Sequence, residues 1–370
     1  GQEGAVARGD DEPEISKIAD VFTFQSLKRV PIEKASAGDI VAVTGLPDVT
    51  IGATIMDPVN QRPLPAITVD EPTLTMTFRV NDGPFAGEEG EYITSRQLRE
   101  RLWKEARKDV ALRVEETDSP DAFTVAGRGE LHLGILIETM RREGYELAVS
   151  KPHVIFKEID GVKHEPLEQV TVDVSQEYAG AVIEGLGERK GELQSMMPRG
   201  EERVRLEFIV PMRGLIGYAS QFATETKGTG ILNQNYGGYG PYRGSVPTRS
   251  CGSLVAWEEG QATAYAIGNI QERGVLFVTP GTRVYEGMIV GENARPDDMD
   301  VNIAKKKHVT NMRSATSDIS VKLDEPRIIT LEQALAYISD DELVEITPQS
   351  IRLRKMILDR SERKDARARG

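Results

Sequence analysis

Only one cysteine, Cys251, occurs in the 370 residues, so an internal disulfide is excluded. The four histidines, His132, His153, His164 and His308, are scattered along the chain. No Cys/His group has zinc spacing, and no histidine forms a paired signature with a Ser or Cys nucleophile. Folding must therefore rest on packing, and no catalytic constellation or metal site is expected. The GxxxxGK[ST] loop that cradles nucleotide phosphates is absent from this sequence, so no nucleotide-hydrolysing site of that kind is expected. No window offers the roughly 18 consecutive apolar residues of a membrane span. The opening GQEGAVARGDDEPE lacks a basic-then-apolar signal pattern, and a cytoplasmic protein is expected. The chain does not begin with Met, and its acidic, Gly-rich start has no periodicity, which suggests a processed or recombinant fragment.

Hydrophobic residues (39%) and charged residues (28%) stand close to ordinary soluble usage, so most of the chain should fold. The length implies two to four compact units. A net charge of −13 argues against a protein that coats nucleic acid everywhere, yet leaves room for local basic sites.

From Ile18 to about Asp70, short runs such as VFTF and AGDIVAVTGL (Ala37–Leu46), broken by Gly, Pro and Asp, predict antiparallel strands of an incomplete small barrel. Two cycles of βαββαβ follow. The first runs from the alternating strand Thr73–Asn81 through helices at Ser95–Asp109 and Leu131–Glu143 to the strand Glu146–Ser150. The second starts near Glu165 with VTVDV and has helices at Tyr178–Arg189 and Tyr218–Thr226. It ends on a strand near Gly230–Tyr236. That order predicts ferredoxin-like units with one sheet face covered by helices. Beyond Gly240, short strands and Gly turns give way to one helix from Thr330, capped by that residue with Glu332 and Gln333 in its first turn. The expected architecture is α+β and multidomain: residues 1–70 a partial β-barrel, 71–150 and 151–240 two ferredoxin-like domains, and 241–370 a β-rich C-terminal domain with a terminal helix.

The segment KKKHVTNMR, Lys305–Arg313, carries four formal positive charges and no acid in a chain of strongly negative balance. Lys305, Lys306, Lys307 and Arg313 suit phosphate contact, and His308, Thr310 and Asn311 add hydrogen-bonding groups for base or sugar. The alternative is a solvated loop. A second basic stretch, with Arg352, Arg354 and Lys355 followed by Arg360, Arg363, Lys364, Arg367 and Arg369, is expected to lose order after about Leu358. It would reach RNA backbone flexibly or merely solubilise the chain. GRGELHLG, Gly127–Gly134, is either an anion seat at a helix N-terminus or a tight turn. His132 is expected as a partly buried helix residue, Arg213–Phe222 as packed core, and Asp340, Asp341 and Glu342 as a solvated face or helix end rather than an acid/base site.

VDEPTLTMTFRVNDGPFAGEEGEYITSRQLRERL, GRGELHLGILIETMRREGYELAVSKP, PMRGLIGYASQFATETKGTGIL, RVYEGMIVGENAR, TNMRS and ITLEQALAYISDDELVEITPQSIRLRK resemble the BipA/TypA family of translational GTPases in order and spacing, from about Lys17 to Lys355. The resemblance implies the later half of a β-barrel second domain, two ferredoxin-like domains of the kind shared with elongation factor G and LepA, and the family's own C-terminal domain. It also implies that the domain holding GTP and Mg²⁺ is missing. Partners implied are the bacterial ribosome, rRNA and tRNA, reached through the loop at Lys305–Arg313, with a monomeric chain and links to ribosome assembly, stress and virulence. Another class of function is a metabolite-binding regulatory module built between βαββαβ sheets; it predicts a pocket at the sheet interface and no salt-sensitive RNA binding.

Overall fold

A computed structural model describes residues 2–7, 12–26, 28–46, 49, 51–65, 71–200, 202–246, 249–306 and 322–369. Its contacts divide into two units, Gly1–Glu71 with Arg101–Arg113, and Pro72–Glu100 with Val114–Gly370.

In the first unit two three-stranded antiparallel sheets form. One orders Glu14–Lys17, Glu3–Ala7 and Thr54–Met56; the other orders Lys28–Pro31, Val21–Gln25 and Val41–Val43. Short β-rich runs between turn residues dictate such sheets, and among the described residues they close no barrel.

The second unit begins with a βαββαβ stretch. Leu74–Val80 presents Leu74, Met76 and Phe78 to the interior on its alternate positions. Helix α1 (Ser95–Ala106), whose residues from Arg101 on group with the first unit, follows in the chain, then strands Arg113–Glu116 and Ala122–Gly127. Helix α2 (Glu130–Arg142) then buries Leu133, Leu136, Ile137 and Met140 at helical spacing, and Leu147–Val149 ends the stretch. In the sheet the four strands take the order fourth, first, third, second. The ladder then continues without a break. Leu147, Ala148 and Val149 pair with Ile346, Glu345 and Val344 of the strand Glu342–Ile346. Beyond it come Ile351–Lys355, Met288–Asn293, Ser253–Ala256 and Met299–Val301, so the C-terminal strands extend the first sheet.

The second βαββαβ stretch comprises Val162–Ser175, helix α3 (Gln176–Glu188), Glu192–Arg199, Arg203–Pro211, the short helix α4 (Met212–Leu215), helix α5 (Tyr218–Glu225) and Ile231–Pro241. Its strand order is again fourth, first, third, second. Val170, Val172 and Val174 alternate into a core with Val182 and Leu186 of α3, Leu206 and Phe208, and Tyr218 and Phe222 of α5. Of Arg213–Phe222, expected as packed core, Gly214, Leu215, Tyr218 and Phe222 are buried, while Ala219, Ser220 and Gln221 are exposed.

In the C-terminal part, α6 (Ala264–Ile270) and α7 (Leu331–Tyr337) flank the extended sheet. Thr330 caps α7 through a capping box with Gln333, a pairing that satisfies two of the backbone donors every helix start leaves open. Phe85, from the loop after the first strand, enters this C-terminal core and meets the edge of Tyr285 at 5.1 Å between ring centres. The basic end does not lose order after Leu358: α8 (Arg360–Arg369) forms, because Arg360 and Arg363 both reach Asp300, at 2.8 and 2.9 Å.

Candidate functional site

Thr263, which caps helix α6, and Gln271 just after that helix hold the described residues on either side of positions 307–321. Thr263 caps α6 by accepting from the Ala266 amide at 3.1 Å, and its hydroxyl donates to the Lys305 carbonyl at 2.6 Å. Beyond position 321, Gln271 donates to the Lys322 carbonyl at 3.0 Å and accepts from the Asp324 amide at 3.1 Å. Ile303 is buried just before the segment, and Lys305 and Lys306 emerge exposed. Lys307, His308, Asn311 and Arg313 lie outside the described residues.

The other predicted cations sit inside the fold. Arg354 and Lys355 are each 2% exposed. Arg354 pairs with Asp82 and approaches Glu345 at 3.4 Å, and Arg352 pairs with Glu89, whose carboxylate also accepts from Thr347 and Ser350. Burial pushes the Glu345 carboxyl above its ordinary range despite the nearby charges of Arg354 and Arg352. Lys355 reaches Asp298 at 2.6 Å, Asp341 at 2.8 Å and Glu342 at 2.8 Å, while Arg249 holds Glu342 at 3.0 Å. Burial alone would raise the Glu342 carboxyl, but Lys355 and Arg249 overcome it and hold the group below the usual carboxylate range. The solvated-face expectation therefore fails at Glu342, which is fully buried, although Asp340 and Asp341 are exposed. These charges tie the loop at Asp82–Glu89 to the C-terminal hairpin and are spent on internal partners.

A cleft of about 1380 Å³ opens where α2, the α4–α5 turn and α7 meet. Gly127–Gly134 contributes to it as a tight turn leading into α2. Glu130 places the chain's own carboxylate at that helix start, where an external anion would otherwise be favoured. Glu130 accepts from the Gly217 amide at 3.4 Å, and burial, with Glu332 nearby adding repulsion, raises its pKa to about 7. Gly217 itself has φ +74°, and a Cβ there would stand 2.6 Å from that of Ala336 in α7, so the turn requires glycine. His132 is half-buried, as predicted, and its Nδ1 accepts from the Arg128 amide at 3.3 Å.

Glu168, missed in the sequence, also lines the cleft and is 9% exposed. The signal was present: it stands two residues before Val170 in EQVTVDV, in the inward phase of the strand where an apolar residue belongs. The ladder with Ile231–Pro241 shifts register between Pro166 and Glu168, opposite Gly237 and Gly238. Such bulges re-aim side chains. Among the described residues no group of three or more His, Cys, Asp or Glu could hold a metal ion, and no helix is long and apolar enough to cross a membrane.

Comparison with known proteins decides the family. Residues 251–360 match the model of the TypA/BipA C-terminal domain, and residues 162–250 match that of the elongation factor G C-terminus. A protein of Bacillus subtilis (strain 168) named large ribosomal subunit assembly factor BipA is 53% identical over 367 residues, covering 99% of this chain and 60% of that protein. The chain belongs to the BipA/TypA family. Proteins of the same name from Synechocystis and Salmonella typhimurium are each 51% identical, covering 96% and 95% of this chain. The chain spans 58–60% of the length of these curated relatives.

Proposed function

We propose that this chain is the ribosome- and rRNA-binding portion of a GTP-dependent translation factor of BipA/TypA type that acts in assembly of the large ribosomal subunit in the cytoplasm. The observation that carries the reading is the 53% identity to a relative named for large-subunit assembly, sustained over 99% of this chain. The match of residues 162–250 to the elongation factor G C-terminus supports a translation-factor body. The two stretches in the strand order fourth, first, third, second support reading both as ferredoxin-like domains. GTP and Mg²⁺ belong, in this reading, to the part of the relatives' length outside this chain, and the intact factor is the GTPase.

The RNA contact is assigned to the segment that begins with the exposed Lys305 and Lys306 and continues through Lys307, His308, Asn311 and Arg313. Thr263 holds the Lys305 carbonyl where the segment begins, which supports the presentation of Lys305 and Lys306 at the surface. Arg352, Arg354 and Lys355 are assigned to the scaffold, since each is paired with internal carboxylates.

Co-sedimentation with purified 70S ribosomes across a salt series tests this. The chain is expected to bind at low salt and to lose affinity steeply as salt rises, with a slope set by the phosphates neutralised. A variant with Lys305, Lys306, Lys307 and Arg313 changed to Ala should bind weakly with a flatter slope. Equal binding by that variant would remove the loop from the interface.

A further inference from the structure

Glu168 is a buried carboxylate without a counter-ion. No hydrogen bond or ion pair joins it to any described residue. A buried charge left unpaired is costly, and native folds retain one chiefly where something else completes it. Here the carboxylate faces not solid core but a cleft large enough for a small molecule.

The cleft's composition selects the chemistry. Four carboxylates line it, Glu130, Glu138, Glu168 and Glu332, against two guanidinium groups, Arg128 and Arg142, and Arg142 is already held by Glu138 at 2.8 Å. The balance is negative and repels phosphate or carboxylate ligands. Its mouth is apolar: Leu131 and Ile135 on α2 are 68% and 58% exposed and line the opening, where large aliphatic side chains stand in water with nothing to cover them. A hard divalent cation would need several converging oxygens, and none of the described acids forms such a group.

We propose that the cleft between α2, the α4–α5 turn and α7 binds an alkylammonium ligand, with Glu168 as the counter-ion of its amine and Leu131 and Ile135 packing along its aliphatic chain. An ammonium donates three hydrogen bonds to carboxylate oxygens, while the methylene stem covers the exposed leucine and isoleucine. Glu130, on the wall of the same cleft, offers a second carboxylate, so a diamine is held at both ends. Burial raises the Glu168 carboxyl above the usual carboxylate range, and an ammonium beside it favours the ionised form. Affinity therefore rises as pH increases. Glu130, raised to about 7, changes in the same sense, whereas Arg142 and Arg141 hold Glu138 below the usual carboxylate range despite its burial; Glu332, Arg128 and Arg142 are the other charged groups facing the cleft.

This site is separate from the ribosome contact proposed above and stands or falls independently of it. Isothermal titration of the whole chain with 1,5-diaminopentane at pH 8 is the test, with tetralysine as a second probe for an amine supplied by a protein side chain. Saturable one-to-one binding is expected, weakened about tenfold or more in Glu168→Gln, and weaker at pH 6 than at pH 8. Thermal unfolding of Glu168→Gln, expected at or above the parent's midpoint, checks that the variant folds. Binding of tetralysine alone, lost in Glu168→Gln, supports the same chemistry with a protein as its source. Binding of neither probe, or binding that Glu168→Gln and pH leave unchanged, overturns the proposal.

Discussion

Replacing Glu130 by glutamine should stabilise the second unit at pH 8 and do nothing at pH 4. The carboxyl sits at the start of α2, largely removed from water, with its pKa raised from 4.5 to about 7. A group raised in the folded state contributes stability that is fully present below the unfolded value, near 4.5, and is lost as pH climbs through about 7. A rise of that size corresponds to roughly 3 kcal/mol, an upper bound because the group retains some exposure. The amide side chain of Glu130→Gln would keep the oxygen that accepts from Gly217 and carry no charge to desolvate, so a gain of about 1–3 kcal/mol is expected above pH 7. For a folding unit of this size that is a rise in midpoint of roughly 2–10 °C. Differential scanning calorimetry of both proteins at pH 4, 6 and 8 measures it, with the difference between them growing with pH. A pH-independent difference, or a variant less stable than the parent at pH 8, would refute the argument.

Two further substitutions probe the scaffold. Lys355→Met removes the cation that Asp298, Asp341 and Glu342 share and leaves buried carboxylates uncompensated. A loss of about 3–5 kcal/mol is expected in urea unfolding, largest at neutral pH, where Glu342 is ionised. Gly217→Ala puts a Cβ within 2.6 Å of Ala336 on a left-handed backbone, and should cost about 1–3 kcal/mol by the same assay. Ala336→Gly in the same chain should recover the steric part and leave the backbone part.

Much of the fold could be read before the structure because its elements carry strong local signals. The alternation in VTVDV, the apolar spacing of α2, and the Thr330 cap with Gln333 three residues on are each decided within one element. What could not be read depends on residues far apart in sequence. Arg352, Arg354 and Lys355 look like a basic surface run, yet they alternate along a strand whose partners include Asp82 and Glu89, over 260 residues away. Charge counting cannot detect such pairing. Glu342 was misread for the same reason, since only the fold brings Arg249 and Lys355 to it. Glu168 was legible in principle, as an acid in the core phase of a strand, but only the fold shows that a cleft lined by α2 and α7 lies beside it. The helix at Arg360–Arg369 follows from two arginines meeting Asp300, again across the chain.

The ladder joining Leu147–Val149 to Val344–Ile346 also governs how the protein is made. While the ribosome works through the residues between them, an apolar Leu-Ala-Val edge waits without its neighbour for roughly ten to forty seconds at ordinary synthesis rates. An open edge of that kind is a template for pairing with another chain. Until its own C-terminus emerges, this ribosome-factor relative is thus itself a nascent chain at risk of aggregation, and a copy cut short before Glu342 keeps that edge bare permanently.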